Sequence, residues 1–250
     1  MHYRVEGDGE PLLLLHSALG SSIEYARVIP FLSKGFCAIA PDFLGQGDSD
    51  PTPRLYQIPD HARTIASFMS SLGIDKATIV GHHNGAMVAT ELAIASPHLV
   101  NSIILSSIPL WETERGKAVI DPPGFTAQVD LKADGSHLLE WWRRVSLWGD
   151  RSVEEFEGRV LDYVKAGPRG EEMHWIGRAY DAIPRLPLVR CPTLVLSATY
   201  DPFCAVAEEV KTLVPNSKLA IIENGPIDVD RMMPREFSEA VLRFLERPAP

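Results

Sequence analysis

Apolar and polar positions follow two rhythms along the chain. Short continuous apolar runs recur at residues 11–16 (PLLLLH), 36–42 (FCAIAPD), 76–82 (KATIVGH), 99–111 (LVNSIILSSIPLW), 190–201 (RCPTLVLSATYD) and 217–225 (SKLAIIENG). Runs this short, apolar on both faces, predict buried strands. Between them, apolar residues return every three or four positions, at 22–32, 58–73, 84–97, 205–215 and 233–246, which predicts amphipathic helices. The helix over 58–73 opens at Pro59-Asp60 and stops at Gly73. Residues 43–54 (FLGQGDSDPTPR) carry only turn chemistry and are expected to be loop. Strands alternating with helices predict a mostly parallel α/β sheet with helices on both faces, joined by right-handed crossovers.

The alternation breaks after Trp111. From 112 to about 190 no strand pattern appears, and Trp141, Trp142, Trp148 and Trp175 fall in helical context, with charged stretches such as SVEEFEGRVLDYVKAG. The expected organisation is a core formed by 1–111 and 191–250, interrupted by a helical insertion at 112–190. No internal repeat or low-complexity segment is evident.

The chain has 250 residues, 45% apolar and 23% charged, which suits one globular domain with an insertion. Its formal charge of −9 argues against nucleic acid and against an anionic membrane surface, both of which need a basic face. No apolar run approaches the roughly 20 residues of a membrane span. PLLLLHSALG is short and lacks a basic leader, so it does not read as a signal peptide. Three scattered cysteines, Cys37, Cys191 and Cys204, fit a reduced, cytoplasmic setting.

The densest chemical signal is IVGHHNGA, where an apolar strand meets a helix with no spacer. Gly81 and Gly85 flank His83, the shape of a strained strand-to-helix elbow that lifts its central side chain to the carboxyl edge of the sheet. The elbow, the His-Ser turn after the first strong strand, PDFLGQGDSD and the late LVLSATYDPF occur in one order. Together they resemble the α/β-hydrolase superfamily, in particular its capped members, over residues 11–246. The resemblance implies a mostly parallel sheet with a helical cap inserted after the strand ending near Trp111. It implies an oxyanion hole from the backbone amides of Ala18 and Asn84, and it assigns the triad acid to Asp201. The triad histidine would fall at about Ile227, yet no histidine follows His174. Histidine at 83 and the missing base are two departures from a Ser-His-Asp triad, and an acyl-serine mechanism is not expected.

An imidazole at the elbow suits base chemistry, because a helix N-terminus and burial both disfavour the ring cation. Asp201 in this family lies one imidazole away from the elbow residue. A shifted loop or a bridging water could join it to His83, and the pair would then activate water or take a substrate proton. Residues expected around a substrate are Ser17, His16, Trp111, Trp141, Trp142 and Asp228. Asp230 flanks the same loop, and His137 or His174 of the insertion could swing over the site. Arg143 and Arg144 read as a solvated helix face, and His82 as a buried histidine pointing away from His83. Adjacent histidines lack the i, i+4 spacing of a helical metal site, so no metal is expected, and no cofactor is implied. The expected function is an enzyme acting on a small, largely apolar carbonyl compound, by hydrolysis or by lyase- or cyclase-type proton abstraction. The alternatives are an inactive relative that binds a small apolar ligand, and a partner subunit with a vestigial pocket. The partner expected is a small molecule, with a homodimer left open.

Overall fold

The continuous apolar runs pair into one seven-stranded sheet in a computed structural model that describes residues 1–111, 129–146 and 152–245. The strands are β1 (Tyr3–Glu6), β2 (Glu10–Leu15), β3 (Phe36–Pro41), β4 (Ala77–His82), β5 (Val100–Ser106), β6 (Thr193–Ala198) and β7 (Ser217–Ile222). Their order is β1-β3-β2-β4-β5-β6-β7, with β1 antiparallel to β3 and every other pair parallel. β1 falls outside the predicted set: its YRVE is exposed at all four positions, so it carries no apolar run to announce it. β5 stops at Ser106 rather than near Trp111, because Ser107 turns into the left-handed region (φ 47°) and Pro109 has no N–H to continue a ladder.

Side-chain alternation gives the sheet two cores. Leu13, Leu15, Ile79, Ile103, Leu105 and Val195 face one side, beneath α2 (Ile58–Ser71) and α3 (Asn84–Ala95). Leu12, Leu14, Val80, Ile104, Leu194 and Leu196 face the other, where Tyr25, Phe237 and Val241 close over them. The helix expected over 22–32 is split into a 3₁₀ turn (Ser22–Tyr25) and a short α1 (Ile29–Leu32). Pro30 cannot donate to the carbonyl four residues back, so one continuous helix cannot form there.

Between β5 and β6 the described residues hold α4 (Ser136–Ser146), α5 (Val153–Ala166) and α6 (Glu172–Ala179), and no strand. Ser152 and Glu155 cap the start of α5 reciprocally. Trp148 and the start of the expected insertion at 112 lie outside the described residues. After β6 come α7 (Ala207–Leu213), a single turn α8 (Val229–Met232) and α9 (Pro234–Leu245). No helix among the described residues is long and apolar enough to cross a membrane.

The topology fixes where a site can form. The chain leaves β2 for β3 on one side and returns to β4 on the other, so β2 and β4 are neighbours whose exit loops diverge. Ligands of open α/β sheets bind in the crevice at such a switch point. Leu15 pairs with Gly81, which places Ser17-Ala18 and His83-Asn84 at the same carboxyl edge.

Candidate active site

The elbow is as tight as its glycines suggest. His83 sits at φ 46° and ψ −110°, outside the regions open to ordinary side chains. A Cβ on Gly81 would overlap the carbonyl group of Gly85, and one on Gly85 would overlap the Leu15 carbonyl. The His83 amide donates to the Ser106 carbonyl at 2.9 Å, tying the strained residue to β5.

The imidazole of His83 reaches Asp201 directly, with Nε2 2.9 Å from Oδ2. No bridging water is needed, because the ring itself fills the space between the elbow and the acid. The other carboxylate oxygen, Oδ1, accepts the Phe203 amide at 2.8 Å. A carboxylate can only accept, so this contact places the proton on Nε2 and leaves the lone pair on Nδ1. Nδ1 makes no hydrogen bond among the described residues, and the side chain keeps 14% of its surface. Phe203 meets the ring edge-on at 5.3 Å and is itself met by Trp111 at 4.9 Å.

His82 does not point away from its neighbour. The two rings stack with centroids 3.9 Å apart. His82 is fully buried, donates from Nε2 to the Ile227 carbonyl at 3.1 Å and accepts at Nδ1 from the Ser106 hydroxyl at 3.0 Å. Burial, and then the adjacent His83, pull its pKa down to about 4, so the ring stays neutral. His82, His83 and Asp201 bring ligand-type atoms within 4.8 Å of one another. A metal there would have to displace one of the two hydrogen bonds of His82 and compete with the His83–Asp201 contact.

A cavity of about 100 Å³ opens in front of His83, walled by Ser17, Ala18, Asn84, Trp111, Phe203 and Asp228 among others. The amides of Ala18 and Asn84 find no acceptor among the described residues. The Asn84 side chain donates to the Met173 carbonyl at 2.7 Å, and Gly177 lies so close that a Cβ there would overlap the Asn84 amide nitrogen. The elbow and α6 are therefore locked together.

Ser17 lines the cavity, but its hydroxyl donates to Glu24 Oε2 at 2.6 Å and its amide to Oε1 at 2.9 Å. Burial works against the Glu24 charge, yet the surrounding positive groups, Arg231 and Arg159 among them, outweigh it and hold its carboxyl below the usual range. Glu24 thus anchors Ser17 rather than serving as a strong base for it. Asp228 also lines the cavity, paired with Arg159 Nη2 at 2.5 Å, while Arg159 Nη1 lies 4.0 Å from Glu24. Ile227, at the position the missing histidine would hold, is another wall residue. Asp230 is fully buried, and burial, with Glu24 and Asp228 nearby, raises its carboxyl pKa well above the usual range.

Three residues expected around the substrate lie elsewhere. His16 is sealed behind the Ser17-Ala18 turn, its Nε2 accepting the Phe43 amide at 3.0 Å and its Nδ1 donating to the Ser17 carbonyl at 2.7 Å. Trp141 packs on Leu19, Val145 and Tyr163, and Trp142 on Phe156 at 5.7 Å. Of the two histidines in the insertion, His174 lines the cavity with Nδ1 2.8 Å from Glu171, and His137 sits against Trp141 outside it. Arg144 is buried rather than solvated and meets Glu140 and Glu171. Arg159, Tyr163 and Arg178 were not singled out by the sequence and do line the cavity. The only hint was that Arg159 and Tyr163, four apart, share one face of α5.

The chain is 34% identical to haloalkane dehalogenase 2 of Mycobacterium tuberculosis (strain ATCC 25618 / H37Rv) over 115 residues, which is 46% of this chain and 40% of that protein. It is 25% identical over 257 residues to the (E)-2-((N-methylformamido)methylene)succinate hydrolase of Acinetobacter baylyi, covering 98% of this chain and 94% of that one. Among solved structures, a bromoperoxidase from Bacillus anthracis superposes with a TM-score of 0.82 at 22% identity, covering 98% and 95% of the two chains. The alignment with the dehalogenase thus spans less than half of either chain, whereas the model of the alpha/beta hydrolase fold family matches residues 10–228, and this chain is a member of that family.

Proposed function

We propose that this chain is an α/β-hydrolase-fold enzyme that acts on a small, largely apolar carbonyl compound without a covalent intermediate, with His83 as general base and Asp201 as its orienting acid. The observation that carries this reading is the 2.9 Å contact of His83 Nε2 with Asp201, which leaves Nδ1 as the proton acceptor beside the cavity. In hydrolysis, Nδ1 takes a proton from water as the oxygen attacks the carbonyl carbon. The negative charge that develops on the carbonyl oxygen falls to the amides of Ala18 and Asn84. Collapse expels the leaving group, which receives the proton back from Nδ1. With a substrate acidic next to its carbonyl, the same base removes a carbon-bound proton and the same amides hold the enolate, which is the lyase or cyclase variant.

The helical segment within 112–190 acts as a cap in this reading, closing the cavity through α5 and α6. Relatives named as a dehalogenase and as a hydrolase of a small amide support hydrolytic chemistry on a small substrate. A panel of activated esters, lactones and β-dicarbonyl compounds tests it. For any compound turned over, His83→Ala lowers kcat by about 10²–10⁴ with folding intact. Unchanged turnover in that variant refutes the base. A fluorophosphonate probe labels nothing, and labelling of Ser17 would restore a covalent route.

A further inference from the structure

We infer that a second cavity, behind α6 and separate from the one in front of His83, binds an uncharged alcohol or phenol whose hydroxyl group is received by Gln46 and His61. This does not rest on the reading of His83 as a base. The cavity has a volume of about 350 Å³ and is bounded by the 43–54 loop, the start of α2 and the junction of α5 with α6. Among the described residues it shares no wall residue with the cavity at His83. Two faces of α6 divide them: Met173 and Ile176 line this one, His174 and Gly177 the other.

The polar groups of this wall fall into two sets. The charged ones are engaged. Lys165 pairs with Asp48 at 2.8 Å. Arg169 pairs with Glu172 at 2.6 and 2.8 Å and donates from Nη1 to the Thr52 carbonyl at 2.6 Å. A charged ligand would have to break one of these pairs, so the site favours an uncharged one. The second set is uncharged and incompletely paired. Gln46 is 2% exposed, and its Nε2 donates to the Gly45 carbonyl at 3.1 Å and to the Gly170 carbonyl at 3.4 Å. Those two contacts identify the other amide atom, Oε1, as an acceptor. Oε1 is buried without a hydrogen-bond partner among the described residues, and so is Nδ1 of His61. Burial, and then His16, lower the pKa of His61 to about 4, so at neutral pH its ring carries one N–H and one lone pair. Buried donors and acceptors in folded proteins are nearly always paired, and here two unpaired ones belong to side chains that wall one cavity. A hydroxyl group suits both, because it donates as well as accepts. A ketone or carboxylate oxygen brings only lone pairs and would leave Oε1 unsatisfied. The rest of the wall is largely apolar, with Leu44, Pro168, Met173 and Ile176, and suits a hydrocarbon body. A cavity of roughly 150 Å³ accommodates benzene, so a six-membered ring bearing a hydroxyl fits in this one.

Cyclohexanol, cyclohexanone and cyclohexylammonium test this, since they present one ring with a hydroxyl, with an acceptor alone and with a charge. Each is titrated by calorimetry, while the imidazole resonances of His61 and His83 report which cavity is filled. Cyclohexanol moves the His61 resonances and binds the wild-type protein about tenfold or more tighter than either analogue. Gln46→Met keeps the length of the side chain and removes the acceptor; His61→Phe keeps a ring and removes the nitrogens. Either one brings the alcohol down to the affinity of the ketone. If one variant does not fold, the other and the wild-type series still decide. His61 resonances that stay in place, as they would with water as the only occupant, overturn the inference. So do equal affinities for alcohol and ketone, or an alcohol affinity that survives in a folded variant. None of these results depends on turnover, so a failure of this site and a failure of His83 as base are read separately.

Discussion

Acidification from pH 7.5 to pH 5 tests what it costs this fold to hold His61 as a neutral ring. His61 is 2% exposed, sits between Phe43 and Tyr56 at 5.5 and 5.6 Å, and has a buried Nδ1 with no hydrogen-bond partner among the described residues. Burial first, and the nearby His16 second, pull its pKa from 6.5 to about 4. The folded pKa lies below the unfolded one, so the unfolded chain takes up the proton first. The stabilisation is therefore complete above pH 6.5 and drains away as the pH falls toward 4. At pH 5 the unfolded ring is almost wholly protonated and the folded ring about one-tenth so. The proton-binding polynomial of the unfolded state then exceeds that of the folded state by a factor of about thirty, which is about 2 kcal/mol. That is a large share of a typical domain stability of about 5–15 kcal/mol. Urea denaturation of wild type and His61→Gln at both pH values isolates this contribution. Asp230, whose buried carboxyl titrates well above the usual range, gains stability on acidification and has the opposite sign, but it is common to both proteins. The wild type should lose about 2 kcal/mol more than the variant between pH 7.5 and 5, roughly a 1 M difference in midpoint shift. Equal losses, or an imidazole resonance of His61 that titrates near 6.5 in the folded protein, would refute the argument.

Two further outcomes follow from the elbow. Gly85→Ala drives a Cβ into the Leu15 carbonyl, which is backbone and cannot rotate away, so unfolding is expected at least about 1–3 kcal/mol earlier; a wild-type melting temperature would show that β2 and α3 can part. Asp201→Asn lets a side-chain amide donate to Nε2, which moves the ring proton to Nδ1 and removes the base; kcat on any identified substrate should fall about as far as in His83→Ala, and a variant as active as wild type would remove Asp201 from the mechanism.

Much of the core was legible because its signals are local. Leu12–Leu15 and Ile103–Leu105 are continuous apolar runs that only a doubly covered strand explains, and Gly81 and Gly85 mark a close backbone approach by their lack of side chains. β1 was hidden because an exposed edge strand needs no apolar pattern. The direct His83–Asp201 contact was hidden for another reason. It depends on how the turn after β6, from Pro202 to Val206, brings Asp201 to the elbow, and no local pattern encodes that path. The same holds for Glu24, Arg159 and Asp228, which come from three separate elements and meet only in the folded chain. Helical periodicity placed Trp141 and Trp142 on a helix but could not say which faces of that helix meet the cavity.

The hydrogen bond from His82 to the Ile227 carbonyl bears on any attempt to retrofit an ancestral-style hydrolase into this scaffold. A serine at 83 and a histidine at 227 would restore the letters of the familiar signature. The backbone at 227 would still be tethered by the imidazole next door, and Asp228 would still be clamped by Arg159. Redesign would have to release both moorings before the new side chain could swing into line.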